Sequence, residues 1–359
     1  MIQHVRAAAI CVLLTGCTAM VQAQSFVYVS VSGEKKIAVL KMANDGSLTR
    51  LKDVEPPGAP GPMAVDMKRK VLFASLRSSS QLASFRLDAA TGGLTLINSV
   101  GIQGDAAYVA TDRSGNFLLS ACYGQGMIGV HPLGEDGTIG ETPVVWQATE
   151  KTAHAILTDL SNRFLYVPHP APKAVFQFSF EAKTGKIAAL EPPRLLTGDN
   201  SGPRHLAFHP KLKMVYFDYE QGSAVAACAL DTQTGQLTIK QTLPTLPADF
   251  QGNNTCADIE ISPSGRFLYS SNRGHDSIAM YAVDEETGLL TSLGQEPTEK
   301  TPRSFNIDPS ERFLYAAGQG SGQLASYHLD PETGRLKRFA TMNLGKSPAW
   351  VQVVQHATE

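Results

Sequence analysis

The chain has 359 residues, 43% hydrophobic and 18% charged, with 31 Gly and a formal net charge of -2. So small a charge argues against a nucleic-acid partner, and the length is ample for a large core. No stretch beyond the N-terminus is long and apolar enough to cross a bilayer as a helix.

The chain opens with the pattern of an export signal: Arg6, then the short apolar run Ala7 to Leu14, then small residues. Two processing sites fit it. Val21-Gln22-Ala23 obeys the small-x-small rule, which makes residues 1–23 the signal. Leu14-Thr15-Gly16-Cys17 has the form of a bacterial lipobox, which makes 1–16 the signal and Cys17 a lipidated first residue. Either route places the mature protein outside the cytoplasm, in the periplasm of a two-membrane cell. A lipid on Cys17 is its one expected link to a membrane.

From Phe26 onward one unit repeats. A short apolar strand is followed by a polar turn, an aromatic-rich strand of the type Phe-Leu-Tyr, a Gly-rich loop, a third strand, a tight turn and a fourth strand. The second-strand centres are Tyr28, Phe73, Leu119, Tyr166, Tyr216, Tyr269 and Tyr315, spaced by 45, 46, 47, 50, 53 and 46 residues. Four strands at a period of about 40–50 residues predict a β-propeller. The turns agree: Asp45-Gly46, Gly92-Gly93, Asp136-Gly137, Thr184-Gly185, Thr234-Gly235, Thr287-Gly288 and Thr333-Gly334 each separate two apolar runs. Gly supplies the positive φ that such turns require.

Six units carry their own first strand, opening at Gly61-Pro62-Met63, Asp105-Ala106-Ala107, Thr152-Ala153-His154, Gly202-Pro203-Arg204, Cys256-Ala257-Asp258 and Thr301-Pro302-Arg303. The N-terminal unit lacks one and starts at Phe26-Val27-Tyr28-Val29. The missing strand is Ser347-Pro348-Ala349-Trp350-Val351-Gln352-Val353 at the other end. The fold expected over residues 26–354 is therefore one all-β domain, a seven-bladed propeller of four-stranded antiparallel blades. The C-terminal strand completes the first blade and removes both free edges.

Cys122, Cys228 and Cys256 fall on three blades and read as small buried hydrophobes, so no disulfide framework is expected. Neither CxxC nor HExxH occurs, and no metal or cofactor is implied.

In an antiparallel meander the start of the first strand and the end of the second share one face. The third position of each first-strand opening is, in blade order, Met63, Ala107, His154, Arg204, Asp258, Arg303 and Ala349. Four successive blades thus bring His, Arg, Asp and Arg to equivalent inner positions, a pocket wall suited to an anion. The second-strand ends add Glu220 on the fifth blade and Arg273 and His275 on the sixth. The long loop Leu246 to Asn254, with Asn253, reaches the same face; such loops concentrate binding residues. A within-turn pair of Arg273 with Asp276 and a core role for His209 are the structural alternatives.

Gly202-Pro203-Arg204-His205 with His209-Pro210 resembles the lactonase family of seven-bladed propellers. So do Ala257-Asp258-Ile259, Ser262-Pro263-Ser264-Gly265-Arg266-Phe267-Leu268-Tyr269, Ser271-Asn272-Arg273-Gly274-His275-Asp276 and Thr301-Pro302-Arg303. That family includes propeller-type 6-phosphogluconolactonases and carboxymuconate-lactonizing enzymes. The resemblance implies a catalytic set of His154, Arg204, Glu220 and Arg273, with His205, Asp258, His275, Arg303 and Asn253 contacting substrate. The chain departs from the family pattern at Thr152, Tyr219 and Glu260 and at His169-Pro170-Ala171.

The implied chemistry is hydrolysis of a small sugar-acid lactone. Arg204 and Arg273 hold an anion and polarise the ring carbonyl, and His154 or Glu220 serves as base. The same groups suit a cycloisomerisation of an unsaturated diacid. A non-catalytic propeller presenting its rim to a sugar or a protein is a third reading. Export favours an unphosphorylated lactone over a cytoplasmic sugar phosphate.

Residues 1–25 fused to a reporter active only outside the cytoplasm are expected to give signal. Cys17→Ala separates the two processing routes: fractionation shows loss of membrane association if Cys17 is lipidated, and an unchanged soluble protein if cleavage follows Ala23.

Overall fold

The computed structural model describes residues 24–356, so both export processing sites lie outside the described residues. The chain forms seven antiparallel sheets of four strands each. The innermost strands, in blade order, are Pro348–Gln355, Pro60–Asp66, Ala106–Thr111, Leu157–Thr158, Pro203–Phe208, Thr255–Ile261 and Pro302–Ile307. Among the described residues the helical content is two single 3-10 turns, Ser32–Glu34 and Arg77–Ser79.

The ring closes as expected. Strand Ser25–Val31 pairs antiparallel with Pro348–Gln355, from Ser25 opposite Gln355 to Val31 opposite Pro348. The C-terminal strand is the innermost of the first blade, so both edges of that blade's break are satisfied.

Because propeller sheets face one another around the ring, the core is divided into clusters between neighbouring blades. One cluster joins Val29, Leu40 and Val351 of the first blade to Tyr315 and Leu324 of the seventh. Another joins Tyr28 and Val39 to Leu72 and Phe85 of the second. A recurrent contact ties these faces. The hydroxyl of Tyr28 donates to the carbonyl of Gly92 in the next blade at 3.1 Å, Tyr166 to Gly235 at 2.7 Å, and Tyr216 to Gly288, Tyr269 to Gly334 and Tyr315 to Gly46 at 2.8 Å each. The acceptors are the turn glycines of the repeat. At Gly46 (φ +82°) a Cβ would lie 2.4 Å from the Phe313 ring, so both the backbone angle and the contact exclude a side chain. Phe73 and Leu119 take the tyrosine position in the second and third blades and have no hydroxyl to donate.

A second regularity concerns the innermost strands. Their pairing with the second strand slips near its start in six blades: at Ser30/Val31, Pro60/Met63, Ala106/Tyr108, Pro203/Leu206, Cys256/Ile259 and Pro302/Ser304. These β-bulges lie at the channel mouth. Bulges re-aim side chains, and here they carry Ala107, Arg204, Asp258, Arg303 and Ala349.

The fourth blade differs from expectation. Its inner strand is reduced to Leu157–Thr158, opposite Tyr166 and Leu165. His154 therefore sits in the segment before the strand, its backbone N–H donating to the Pro168 carbonyl at 3.0 Å. Pro168 has no N–H to return, which cuts the ladder short.

Tyr315→Phe should cost about 1 kcal/mol, the net worth of one buried hydrogen bond. Gly46→Ala should cost more, because strain and a clash add together. Ending the chain before Ser347 should abolish soluble folding. Chemical denaturation of the two point variants and gel filtration of the truncation check these outcomes.

Candidate active site

Two adjoining cavities open at the bulged end of the channel. The larger, about 420 Å³, is lined by Arg77, Asp105, Arg204, His205, Arg303 and Trp350 among others. The smaller, about 220 Å³, is lined by Arg77, Ala107, Tyr123, His154, Glu220, Arg273 and Arg303. They share Arg77, Ala107 and Arg303.

Each side chain has a stated support. Glu220 follows the second strand of the fifth blade; its backbone N–H donates to Gly202 at 2.7 Å and its carbonyl accepts from Cys256 of the sixth at 3.1 Å. Arg273 ends strand Phe267–Arg273, and its Nη2 donates to Glu220 Oε1 at 2.6 Å and to the Cys256 carbonyl at 2.9 Å. Arg273 thus pairs across blades and leaves Asp276 to the backbone of Gly274 and Thr301. Arg204 is 1% exposed, with its Nε 3.8 Å from Glu220 Oε1. Its Nη1 lies 3.2 Å from His205 Nε2, and His205 Nδ1 lies 2.7 Å from Asp258 Oδ1. The His154 ring stands edge-on to Tyr123 at 5.3 Å and to His205 at 5.1 Å.

Four expected residues, His154, Arg204, Glu220 and Arg273, therefore meet at one mouth, joined by Arg303 and His205. Three others do not line it. Asp258 lies behind His205, spending Oδ1 on His205 and the Ile259 N–H and Oδ2 on the Phe305 N–H. His275 turns its Nδ1 to Ser277 at 2.7 Å and its ring edge to Phe250 at 4.9 Å. Asn253 is exposed on the long loop, where the neighbouring Asn254 bonds Ser223, Asn272 and the His275 N–H. The loop buttresses the sixth blade because its polar side chains satisfy that blade's turn. His209, read as a core histidine, caps its own turn by accepting from Lys211 and Leu212.

Sequence reasoning missed Arg77, Tyr123, Ser32 and Gln319. A signal existed. Counting four residues past each second-strand centre gives Ser32, Arg77, Tyr123, Pro170, Glu220, Arg273 and Gln319, and all but Pro170 line a cavity.

The mouth is electropositive. Arg77, Arg204, Arg273 and Arg303 face two lining carboxylates, Asp105 and Glu220. Asp105 is held by Arg77 at 2.5 Å and Glu220 by Arg273. Arg303 has no hydrogen-bond or ion-pair partner among the described residues. Burial, then the Arg204 and Arg273 charges, push it down to about 9. Burial first, and then Arg204, His205 and Arg303, hold His154 well below its ordinary 6.5. It is thus a neutral base at pH 7. His154 Nδ1, Arg204 Nε, Arg273 Nε and Glu220 Oε2 are buried with no hydrogen-bond partner among the described residues. Buried polar atoms left so are costly; of their residues, His154, Glu220 and Arg273 line the smaller cavity and Arg204 lines the larger. The described residues hold no cluster of acidic, His and Cys side chains suited to a metal.

The buried groups set opposite pH dependences. Burial lowers His205 and His169 to about 4 each. Their folded values lie below the unfolded one, so this stability is complete above about pH 6.5 and drains as pH falls toward 4. Burial raises Asp218 to about 7 and Glu260 to about 8. Their contribution is present below about pH 4 and is lost as pH rises through 7 to 8. Asp218→Asn keeps an acceptor for the His205 N–H, bonded at 2.6 Å. Its melting temperature relative to wild type should therefore rise between about pH 4 and pH 9. Calorimetry across that range is the check.

Residues 18–353 match the family model described as lactonase, 7-bladed beta-propeller. The chain is 35% identical over 331 residues to a 6-phosphogluconolactonase of Pectobacterium carotovorum, covering 92% of this chain and 99% of that one. It is 34% identical over 330 residues to one of Klebsiella pneumoniae, with the same coverage. The periplasmic gluconolactonase of Pseudomonas aeruginosa superposes with a TM-score of 0.85 at 25% identity, over 93% of this chain and 99% of that one. Fold and sequence agree: the chain belongs to the lactonase family of seven-bladed β-propellers.

Proposed function

We propose that the protein hydrolyses a small anionic or polyhydroxylated sugar-acid lactone at the bulged end of its channel. The observation that carries this reading is the meeting of guanidinium groups in excess over carboxylates with a histidine held as the free base. An ester carbonyl develops negative charge in the tetrahedral intermediate, and fixed donors in a water-poor site stabilise it best. Arg204 and Arg303 are those donors: Arg204 stands 3.8 Å from Glu220, whose closer partner is Arg273, and Arg303 has no ion-pair partner among the described residues. His154 takes a proton from the attacking water as its oxygen bonds to the carbonyl carbon. The C–O bond of the ring then breaks, and the ring oxygen leaves as the hydroxyl of the product acid, taking the proton from His154. Glu220 fixes Arg273 and offers Oε2 to a substrate hydroxyl.

The relatives named 6-phosphogluconolactonase support lactone hydrolysis. The Pseudomonas aeruginosa neighbour is named a periplasmic gluconolactonase. With the export signal expected at the N-terminus, that name favours an unphosphorylated aldonolactone met outside the cytoplasm.

A pH-indicator screen of the mature protein against aldonolactones, 6-phosphogluconolactone and muconolactones should show acid release with at least one aldonolactone. Arg204→Ala should lower kcat/KM by roughly 10–100-fold, the worth of a charge-assisted hydrogen bond, and Arg204→Lys should recover only part of it. His154→Ala should reduce kcat more than it raises KM. Absence of hydrolysis across the screen, or wild-type rates in both alanine variants, overturns the reading.

A further inference from the structure

We propose that His205 is a positioning residue that fixes the rotation of the Arg204 guanidinium. Asp258 locks it in the tautomer that makes this possible. The inference rests on the role given to Arg204 above.

The backbone comes first. Successive side chains of a regular strand point to opposite faces. Arg204 and His205 are sequence neighbours, yet their side chains meet at 3.2 Å. The bulge explains this: Pro203 pairs with Tyr219 and Leu206 with Phe217, so Arg204 and His205 together oppose the single residue Asp218. Asp218 Oδ1 accepts the His205 N–H at 2.6 Å and pins the bulge.

The proton assignment follows from donor logic. A guanidinium only donates, so the contact needs a bare Nε2 on His205. Asp258 accepts from the other ring nitrogen at 2.7 Å, so Nδ1 carries the hydrogen. Asp258 cannot rotate away, because its carboxylate also takes the N–H groups of Ile259 at 3.1 Å and Phe305 at 3.2 Å. The His205 ring is clamped by Tyr108 at 5.1 Å, His154 at 5.1 Å and Trp350 at 5.8 Å.

What depends on this chain is Arg204. Among the described residues its guanidinium makes one hydrogen bond, to His205, and its 3.8 Å approach to Glu220 is too long to be a second. The inner strand of the seventh blade holds Asp258, Asp258 holds His205, and His205 aims Arg204. Protonation of His205 would set N–H against N–H and release the arginine. The charged and titratable groups facing His205 are Arg204, Asp218, Asp258, Arg303, His154 and Tyr108. The arginines oppose protonation and the carboxylates favour it. Burial and Arg204 win, holding the imidazole neutral at pH 7.

Two variants separate aiming from packing. His205→Phe keeps the clamped ring and removes both nitrogens. His205→Gln restores an acceptor for Arg204 and a donor for Asp258. With glucono-1,5-lactone, His205→Phe should lower kcat/KM by roughly 10–100-fold, and His205→Gln should recover most of it at a similar melting temperature. Added guanidinium should partly rescue Arg204→Ala and should fail to rescue Arg204→Ala/His205→Phe, where nothing holds the ion. Nitrogen-15 shifts of His205 should show a protonated Nδ1 and a bare Nε2 whether or not that lactone is a substrate. If Arg204→Ala is inactive while His205→Phe keeps wild-type kcat/KM, the inference fails and the functional reading stands. Equal losses in the Phe and Gln variants that track lost stability, or an Nε2–H tautomer, also overturn it. Lack of lactone turnover by the wild type overturns the functional reading, and the nitrogen shifts then decide the tautomer lock alone.

Discussion

Every blade of this ring must bury two faces against its neighbours, so the contact between adjacent sheets is the constraint on which the rest depends. The hydrophobic effect supplies most of that contact and has no direction. Direction comes from the tyrosine hydroxyls that reach the turn glycines of the next blade. A hydroxyl and a carbonyl each find a partner, and a glycine tight against an aromatic ring sets the approach. The pairing of Ser25–Val31 with Pro348–Gln355 turns a chain of such contacts into a closed ring. The side chains at its mouth are then held from both sides.

The same closure explains how the site is held. Inner strands of neighbouring blades are stitched by side chains that accept backbone N–H groups. Asp258 takes that of Phe305, Glu260 that of Ile307, Ser304 that of Val351 and Asn306 that of Val353. These stitches run from the sixth blade through the seventh into the first, beside the closing strand. Glu260 belongs to them: it accepts from Asn306 at 2.6 Å and Ile307 at 3.0 Å. Glu260 thus lies within the channel wall and does not line either cavity.

Gathering four arginines at a partly buried mouth is costly. Desolvation works against each charge, and mutual repulsion adds to it. The two lining carboxylates offset about half of the formal charge; burial first, and then the charges of Arg204, Arg273 and Arg77, lower Arg303. An anionic ligand, or a carbonyl gaining negative charge, relieves that cost. The relief is larger as charge develops, which is the condition for catalysis as opposed to tight ground-state binding. The positions equivalent to Arg204 and Arg303 on three other blades are apolar, Met63, Ala107 and Ala349.

The sequence by itself determined the architecture. Its aromatic-strand period, its turn glycines and the unpaired first unit specify seven blades and the closing strand, because periodicity and turn chemistry act over short spans of chain. It also determined the blades that supply His154, Arg204, Glu220 and Arg273, because repeat equivalence maps onto spatial equivalence in a ring. Only the tertiary structure decided how those side chains are aimed. A bulge adds one residue to a strand without any mark in composition, and it alone turns both Arg204 and His205 to the same side. Pro168 likewise shortens an inner strand that looked regular and leaves His154 on a loop. His275 spends its Nδ1 on Ser277 within its own turn, and Asn253 stands exposed beside Asn254, whose hydrogen bonds hold that turn. Which partner a polar group takes is settled by distances of a few ångströms between segments about 50 residues apart, and no local pattern encodes them.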